Sequence, residues 1–188
     1  CFLSARCLRR PVKWTASRTE SLMSDSHARD AMTEAELALD ANGKFLALRI
    51  RTNHAVGAYL GEAAPVPVGL GSTLYVGVYD FEAVDIAVNA VFTHTTFVGP
   101  YRGAGRPEAV YVVERMVDAA ARELGIDPVD IRRRNFIPNT AMPYETSVQS
   151  VYDTGEFDHL TDVSLELADY TGFEARKAES TASGKLRG

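Results

Sequence analysis

Between Pro107 and Gly125 the chain carries its strongest folding instruction. Val110, Val113, Val117, Ala121 and Leu124 recur at three- and four-residue steps, the spacing that lines one apolar stripe along a helix. Proline at the first helical position has its φ preset and needs no amide partner there, and Gly125 supplies a left-handed stop. Gly99, Pro100, Gly103 and Gly105 crowd the segment just before it, so the approach to the helix is a turn-rich loop. This loop divides the chain: the patterning before it is dominated by strands, the patterning after it by helices.

On the strand side, apolar and polar residues roughly alternate from Ala31 to Asp40 and again over 44–58, with the hairpin dipeptide Asn42-Gly43 between them. That pattern predicts an antiparallel hairpin with long arms. Residues 84–97 are β-branched and aromatic-rich and predict a further strand, as do residues 11–17. Residues 1–9 read as the tail of a helix stopped by Pro11, and 18–30 are polar with weak helical spacing. Pro65, Pro67, Gly69, Gly71 and Gly77 make 61–77 a loop or a set of broken segments.

On the helix side, Asp127-Pro128 combines a capping side chain with a helix-starting proline. The helix it opens runs through Arg132, Arg133 and Arg134 to about Phe136, where Pro138 closes it. Residues 139–156 read as a long loop, Phe157–Tyr170 as a helix ending at Gly172, and 174–188 as a helix end or linker. The fold class is therefore α+β, with antiparallel strands followed by packed helices.

Several function classes fall away on bulk properties. A net charge of −5 offers no basic field for phosphates, which excludes a nucleic-acid partner. No apolar run approaches the roughly 18 residues of a membrane span, so the expectation is a soluble, cytoplasmic protein. Cys1 and Cys7 fit neither a CxxC metal pair nor a disulfide framework. His27, His54, His94 and His159 are scattered without paired ligand spacing, so no metal site is proposed from them. Glu34 and Glu36 share a strand face that the alternation assigns to solvent, and Arg132 to Arg134 read as a solvated helix end whose cations complement the dipole.

The glycine-rich loop is the one constellation with clear chemical potential. Free amides at the start of a helix carry about half a positive charge and suit an oxygen-rich anion, and Gly103 and Gly105 lack the Cβ that would hold a ligand away from the backbone. The residues alone leave this open, because a structural tight turn has the same composition.

Three strings narrow the reading: PVKWT at 11–15, GPYRGAGRPE at 99–108 and IRRRNFIP at 131–138, with SDSHARD at 24–30 in the expected order. Together they resemble the molybdenum-cofactor-binding large subunit of the xanthine dehydrogenase, aldehyde oxidase and carbon monoxide dehydrogenase family, over about residues 10–172. The resemblance implies that 1–188 is an interior fragment of the molybdopterin-binding domain. Arg102 and Gly103 would then contact the cofactor and Ala104 would face the substrate. The cofactor would be molybdenum–molybdopterin, in the cytosine dinucleotide form, with FAD and 2Fe-2S clusters on partner subunits of a hetero-oligomer. The activity implied is hydroxylation of a small-molecule aldehyde or N-heterocycle with water-derived oxygen. The family's catalytic glutamate and a GGGFG segment would lie outside the chain, so the fragment alone would be inactive. Copper-containing carbon monoxide dehydrogenases carry a Cys after the Tyr-Arg, where this chain has Gly103, and purine oxidases carry an Arg before the His and a Phe in the loop, where it has Ser26 and Ala104. A carbon monoxide dehydrogenase-like subunit without CO activity and a noncatalytic remnant or binding module are the alternatives.

Overall fold

The computed structural model describes residues 1–188, and its elements follow the division at the glycine loop. Strand β1 (Ala31–Leu39) and strand β2 (Phe45–Gly57) form the expected antiparallel hairpin. Its turn is closed by Gly43 at φ 82°, with the Asp40 carboxylate accepting from the amides of Asn42 and Lys44. Helix α3 (Pro65–Ser72) then leads across to β3 (Ala83–Phe92), which pairs with β2 in parallel, giving the order β1-β2-β3. The expectation of an all-antiparallel set is corrected here. Parallel pairing requires a connection that carries the chain back to the starting end of the sheet, and α3 with the turns after it provides one. In sequence those residues have the look of a loop because prolines and glycines punctuate them.

The two faces of the sheet differ as the alternation dictates. Leu48, Ile50, Thr52 and His54 of β2 are buried on one face, while Arg49, Arg51 and Asn53 point to the other. On that open face Glu36 pairs with Arg49, Arg51 with Asp85, and Asn53 accepts from Asn89, so the three exposed polar side chains of β2 each have a cross-strand partner. Helix α4 (Arg106–Leu124) ends at Gly125 with φ 65°, as predicted, and packs Ala109, Val113, Val117, Ala120 and Ala121 into the core, while Val110 and Leu124, expected on the same stripe, are exposed. Phe45 stacks on Phe81 and meets Tyr79 edge-on, both at 5.4 Å between ring centroids, and forms the aromatic floor of this core.

Helix α5 (Pro128–Arg133) starts on the expected cap, Asp127 accepting from the amides of Val129 and Asp130. The solvated-cap reading of the three arginines that follow is wrong. Arg132 lies between Glu114 and Asp118 of α4, with Nη2 at 2.7 and 2.9 Å from their oxygens. Arg133 pairs with Asp158 and Asp162 of α6 (Phe157–Leu167), and Arg134 donates to the Asn42 carbonyl in the hairpin turn. Asn135, with no exposed surface, accepts from the Phe45 amide at 2.7 Å and donates to the Gly43 and Ile131 carbonyls at 2.8 Å. Four consecutive side chains at the end of one short helix thus reach α4, α6 and the hairpin.

Other segments also depart from expectation. Residues 11–17 form no strand, since no neighbouring strand offers them its backbone, and Trp14 is exposed. The polar stretch after them contains α2 (Arg18–Ser24), held by a capping box in which Ser17 and Glu20 satisfy each other's amides. At the N-terminus lies α1 (Phe2–Leu8), with no buried residue. The long loop at 139–156 contains a minimal hairpin, β4 (Tyr144–Glu145) with β5 (Val151–Tyr152), stapled by Tyr144 to Asp80 and by Tyr152 to the Gly77 carbonyl. The C-terminal stretch is helical as α7 (Phe173–Ala182). No helix is long and apolar enough to cross a membrane.

Asn135→Leu strands the buried Phe45 amide and Gly43 carbonyl, and it is expected to destabilise the protein by about 3 kcal/mol or more. Asn139→Leu, at an exposed position, should stay within about 0.5 kcal/mol. Urea titration followed by far-ultraviolet circular dichroism separates the two.

Candidate cofactor loop at the start of the long helix

Residues 101–105 fold into a tight double turn because three successive residues take positive φ: Gly103 at 96°, Ala104 at 47° and Gly105 at 103°. The Ala104 amide donates to the Tyr101 carbonyl at 2.8 Å and the Arg106 amide to the Gly103 carbonyl at 3.0 Å. The amides of Gly103, Gly105 and Glu108 donate to no protein acceptor. Arg102 is exposed, and Gly103 and Ala104 are half-buried, so the three residues singled out by the sequence form one accessible corner.

The space that each glycine leaves is filled by protein. A Cβ on Gly103 would lie 2.8 Å from Cδ of the Pro107 ring. On Gly105 it would lie 2.6 Å from the Pro67 carbonyl oxygen and 2.8 Å from the Gly71 nitrogen, both backbone atoms of α3. Gly105, buried, is therefore where α3 and α4 meet, and close approach of a ligand is not what demands a glycine there.

The structure brings the SDSHARD string against this loop. His27 bridges Val98 in parallel, its amide donating to Phe97 and its carbonyl accepting from Gly99. The Ser26 hydroxyl sits so close to Gly99 that an added Cβ would come within 2.8 Å. From this fixed backbone Arg29, itself at φ 65°, donates through Nη2 to the Arg102 carbonyl at 2.6 Å. Its Nη1 lies 3.5 Å from Glu108, and its guanidinium carbon lies 5.2 Å from the centre of the Tyr101 ring. Beneath the first turn of α4 is Tyr75, whose hydroxyl pKa is pushed up by burial and further by the Glu108 carboxylate.

Arg29 and Glu108 were missed by sequence reasoning, and no local signal could have paired them, because they stand 79 positions apart. The four histidines stay separate: His27 at its bridge, His54 buried in β2 with an unpartnered Nδ1, His94 beyond β3 and His159 on α6. Glu34 and Glu36 lie on the solvent face of β1 as expected.

The glycine turn thus feeds a long helix, is braced by a cationic side chain and stands beside a mixed sheet. Residues 1–136 match the molybdopterin cofactor-binding domain, and the chain belongs to that family, the molybdenum hydroxylase large subunits. It is 34% identical over 191 residues to the gamma subunit of the 6-hydroxypseudooxynicotine dehydrogenase complex of Paenarthrobacter nicotinovorans, covering 98% of this chain and 24% of that protein. It is 36% identical over 179 residues to the carbon monoxide dehydrogenase large chain of Hydrogenophaga pseudoflava, covering 93% and 22%. Quinoline 2-oxidoreductase from Pseudomonas putida 86 superposes with a TM-score of 0.89 at 34% identity, over 97% of this chain and 23% of that one. The chain thus spans about a quarter of the length of these relatives.

Gly105→Ala forces a Cβ into the α3 backbone from a left-handed position and is expected to destabilise by about 3 kcal/mol or more. Gly103→Ala meets only a proline ring and should lose about 1–3 kcal/mol, the scale of one strained backbone residue. Part of that loss should be recovered in the Gly103→Ala/Pro107→Ala double variant, whereas Pro107→Ala should give no recovery to Gly105→Ala. Thermal melting of the four variants checks the assignment of each contact.

Proposed function

We propose that the chain is one segment of a molybdenum hydroxylase large subunit and that residues 101–105 form one wall of its cofactor site. The observation that carries this is the loop itself. Its free amides, with the Arg102 and Arg106 side chains exposed beside them, present donors and positive charge to an oxygen-rich, anionic group at the start of a long helix. In this reading Arg102 and Gly103 contact molybdenum–molybdopterin, in its cytosine dinucleotide form, and Ala104 faces the substrate. When bound, the group supplies two-electron oxidation of a carbon centre with oxygen drawn from water, and electrons leave to 2Fe-2S clusters and FAD on partner subunits. This chain's residues bind and orient the group, and the acid–base residue of the reaction belongs to another segment.

The accessible surface supports the segment reading. The chain exposes 12,655 Å², whereas a compact monomer of its mass exposes about 8,800 Å². Tyr101, Val110 and Tyr111, around the loop and the first turns of α4, are more than half exposed, which is an apolar surface suited to further protein.

For the substrate, an N-heterocycle is favoured over an aldehyde, since relatives named for 6-hydroxypseudooxynicotine and quinoline align over nearly the whole chain. The small Ala104 supplies no aromatic face of its own on which a substrate could stack. The similarity to a carbon monoxide dehydrogenase large chain does not extend to CO chemistry. A soft thiolate is the ligand type that selects Cu(I), Gly103 provides none, and both cysteines lie at the N-terminus in or beside α1.

The isolated chain should bind no stoichiometric molybdenum, while the full-length protein containing it should carry molybdenum and pterin and reduce an artificial acceptor with an N-heterocycle but not with CO. Metal analysis and dye-reduction assays test each part. One molybdenum per isolated chain would sink the one-wall reading, and CO-dependent dye reduction would refute the argument from Gly103. Absence of pterin from the full-length protein would favour the noncatalytic alternative.

A further inference from the structure

We infer that Arg29 is a positioning residue for the cofactor loop, a clamp that sets where Arg102 and Gly103 stand. The inference rests on the cofactor reading of the loop for its purpose, and on geometry alone for the clamp.

Three contacts converge on one guanidinium. It donates to the Arg102 carbonyl at 2.6 Å, it faces Glu108 in the first turn of α4 at 3.5 Å, and it lies over the Tyr101 ring at 5.2 Å. Planar, forked and permanently charged, it can make all three at once, which a lysine ammonium cannot. Both ends of the loop are therefore fastened to one side chain that comes from outside it.

The backbone around Arg29 is held on both sides. His27 is bridged to Val98, and the Asp30 carbonyl accepts from the Ala55 amide in β2. Between these anchors Arg29 takes φ 65°, a left-handed conformation that glycine or asparagine would occupy with less strain. A long side chain retained at such a position points to a use for that side chain. The fold itself does not need it, because the core of the sheet and α4 is built from other residues.

The conformation also supplies the test. Arg29→Gly removes the clamp while relieving the backbone, so any loosening of the loop cannot be assigned to strain. Hydrogen exchange by mass spectrometry, on the purified full-length protein, would compare a peptide covering 99–106 with one covering 114–122. The loop peptide is expected to exchange about tenfold faster in Arg29→Gly, the scale of one lost charge-assisted hydrogen bond. The α4 peptide and the melting temperature should change little, and pterin content should fall. Arg29→Lys, which keeps the charge, is expected to match the glycine variant in the loop peptide. Unchanged loop exchange, or acceleration spread equally over both peptides, would overturn the clamp. Faster loop exchange at full pterin content would overturn its role toward the cofactor. A wild-type protein without pterin would instead refute the cofactor reading, and the exchange comparison would still decide the clamp.

Discussion

The carboxamide of Asn135 is the constraint on which most of this structure depends. Its oxygen and its nitrogen satisfy the Phe45 amide and the Gly43 carbonyl where the β1–β2 turn enters β2, and it also closes onto Ile131. A buried backbone amide or carbonyl without a partner costs about 1–3 kcal/mol, a sizeable share of a protein's stability margin. The hairpin turn and α5 therefore have one relative placement that leaves nothing unpaired. The Asp80 amide donates to the Asn135 carbonyl as well, which draws the start of β3 to the same point.

That placement propagates. With α5 set against the turn, Arg132 reaches Glu114 and Asp118 and fixes the middle of α4, while the Tyr79 hydroxyl donates to Glu114 from below. Arg132 is partly exposed, and the cluster acts through geometry more than through raw Coulomb energy, which solvent screens. At the N-terminus of α4 the close contact of Gly105 with Gly71 and Pro67 sets its height above the sheet. A helix fixed at its middle and at its start holds its N-terminal loop in one place. A rigid support of this kind is what a site made mainly of backbone donors needs, because such donors act only where they are aimed.

The loop is braced from a part of the chain that precedes the sheet, and the sheet's own geometry brings them together. The parallel pairing of β3 with β2 returns the chain so that residues 97–99 pass beside residue 27 at the edge of the hairpin. Had β3 paired antiparallel, the glycine loop would leave the sheet at the opposite end, away from Arg29. The candidate site is thus a consequence of topology before it is a consequence of any side chain.

What the sequence determined by itself was local. The α4 helix with its glycine stop, the Asn-Gly hairpin and the Asp127 cap were legible because each depends on residues within a few positions of one another. Gly103 and Gly105 stood out for the same reason, since the turn is written in adjacent residues, whereas Arg102 and Ala104 were marked only by the resemblance that the GPYRGAGRPE string carries. Tertiary structure alone decided the direction of β3, the partners of Arg132 to Asn135 and the meeting of Arg29 with Glu108. Those are choices among distant groups, and a side chain's type does not name its partner: three consecutive arginines look like one charged patch until three separate elements are packed around them. Tertiary packing also gave the loop glycines their partners, because the atoms that forbid a Cβ at Gly105 belong to α3, in a segment whose prolines and glycines conceal a helix that only packing makes stable.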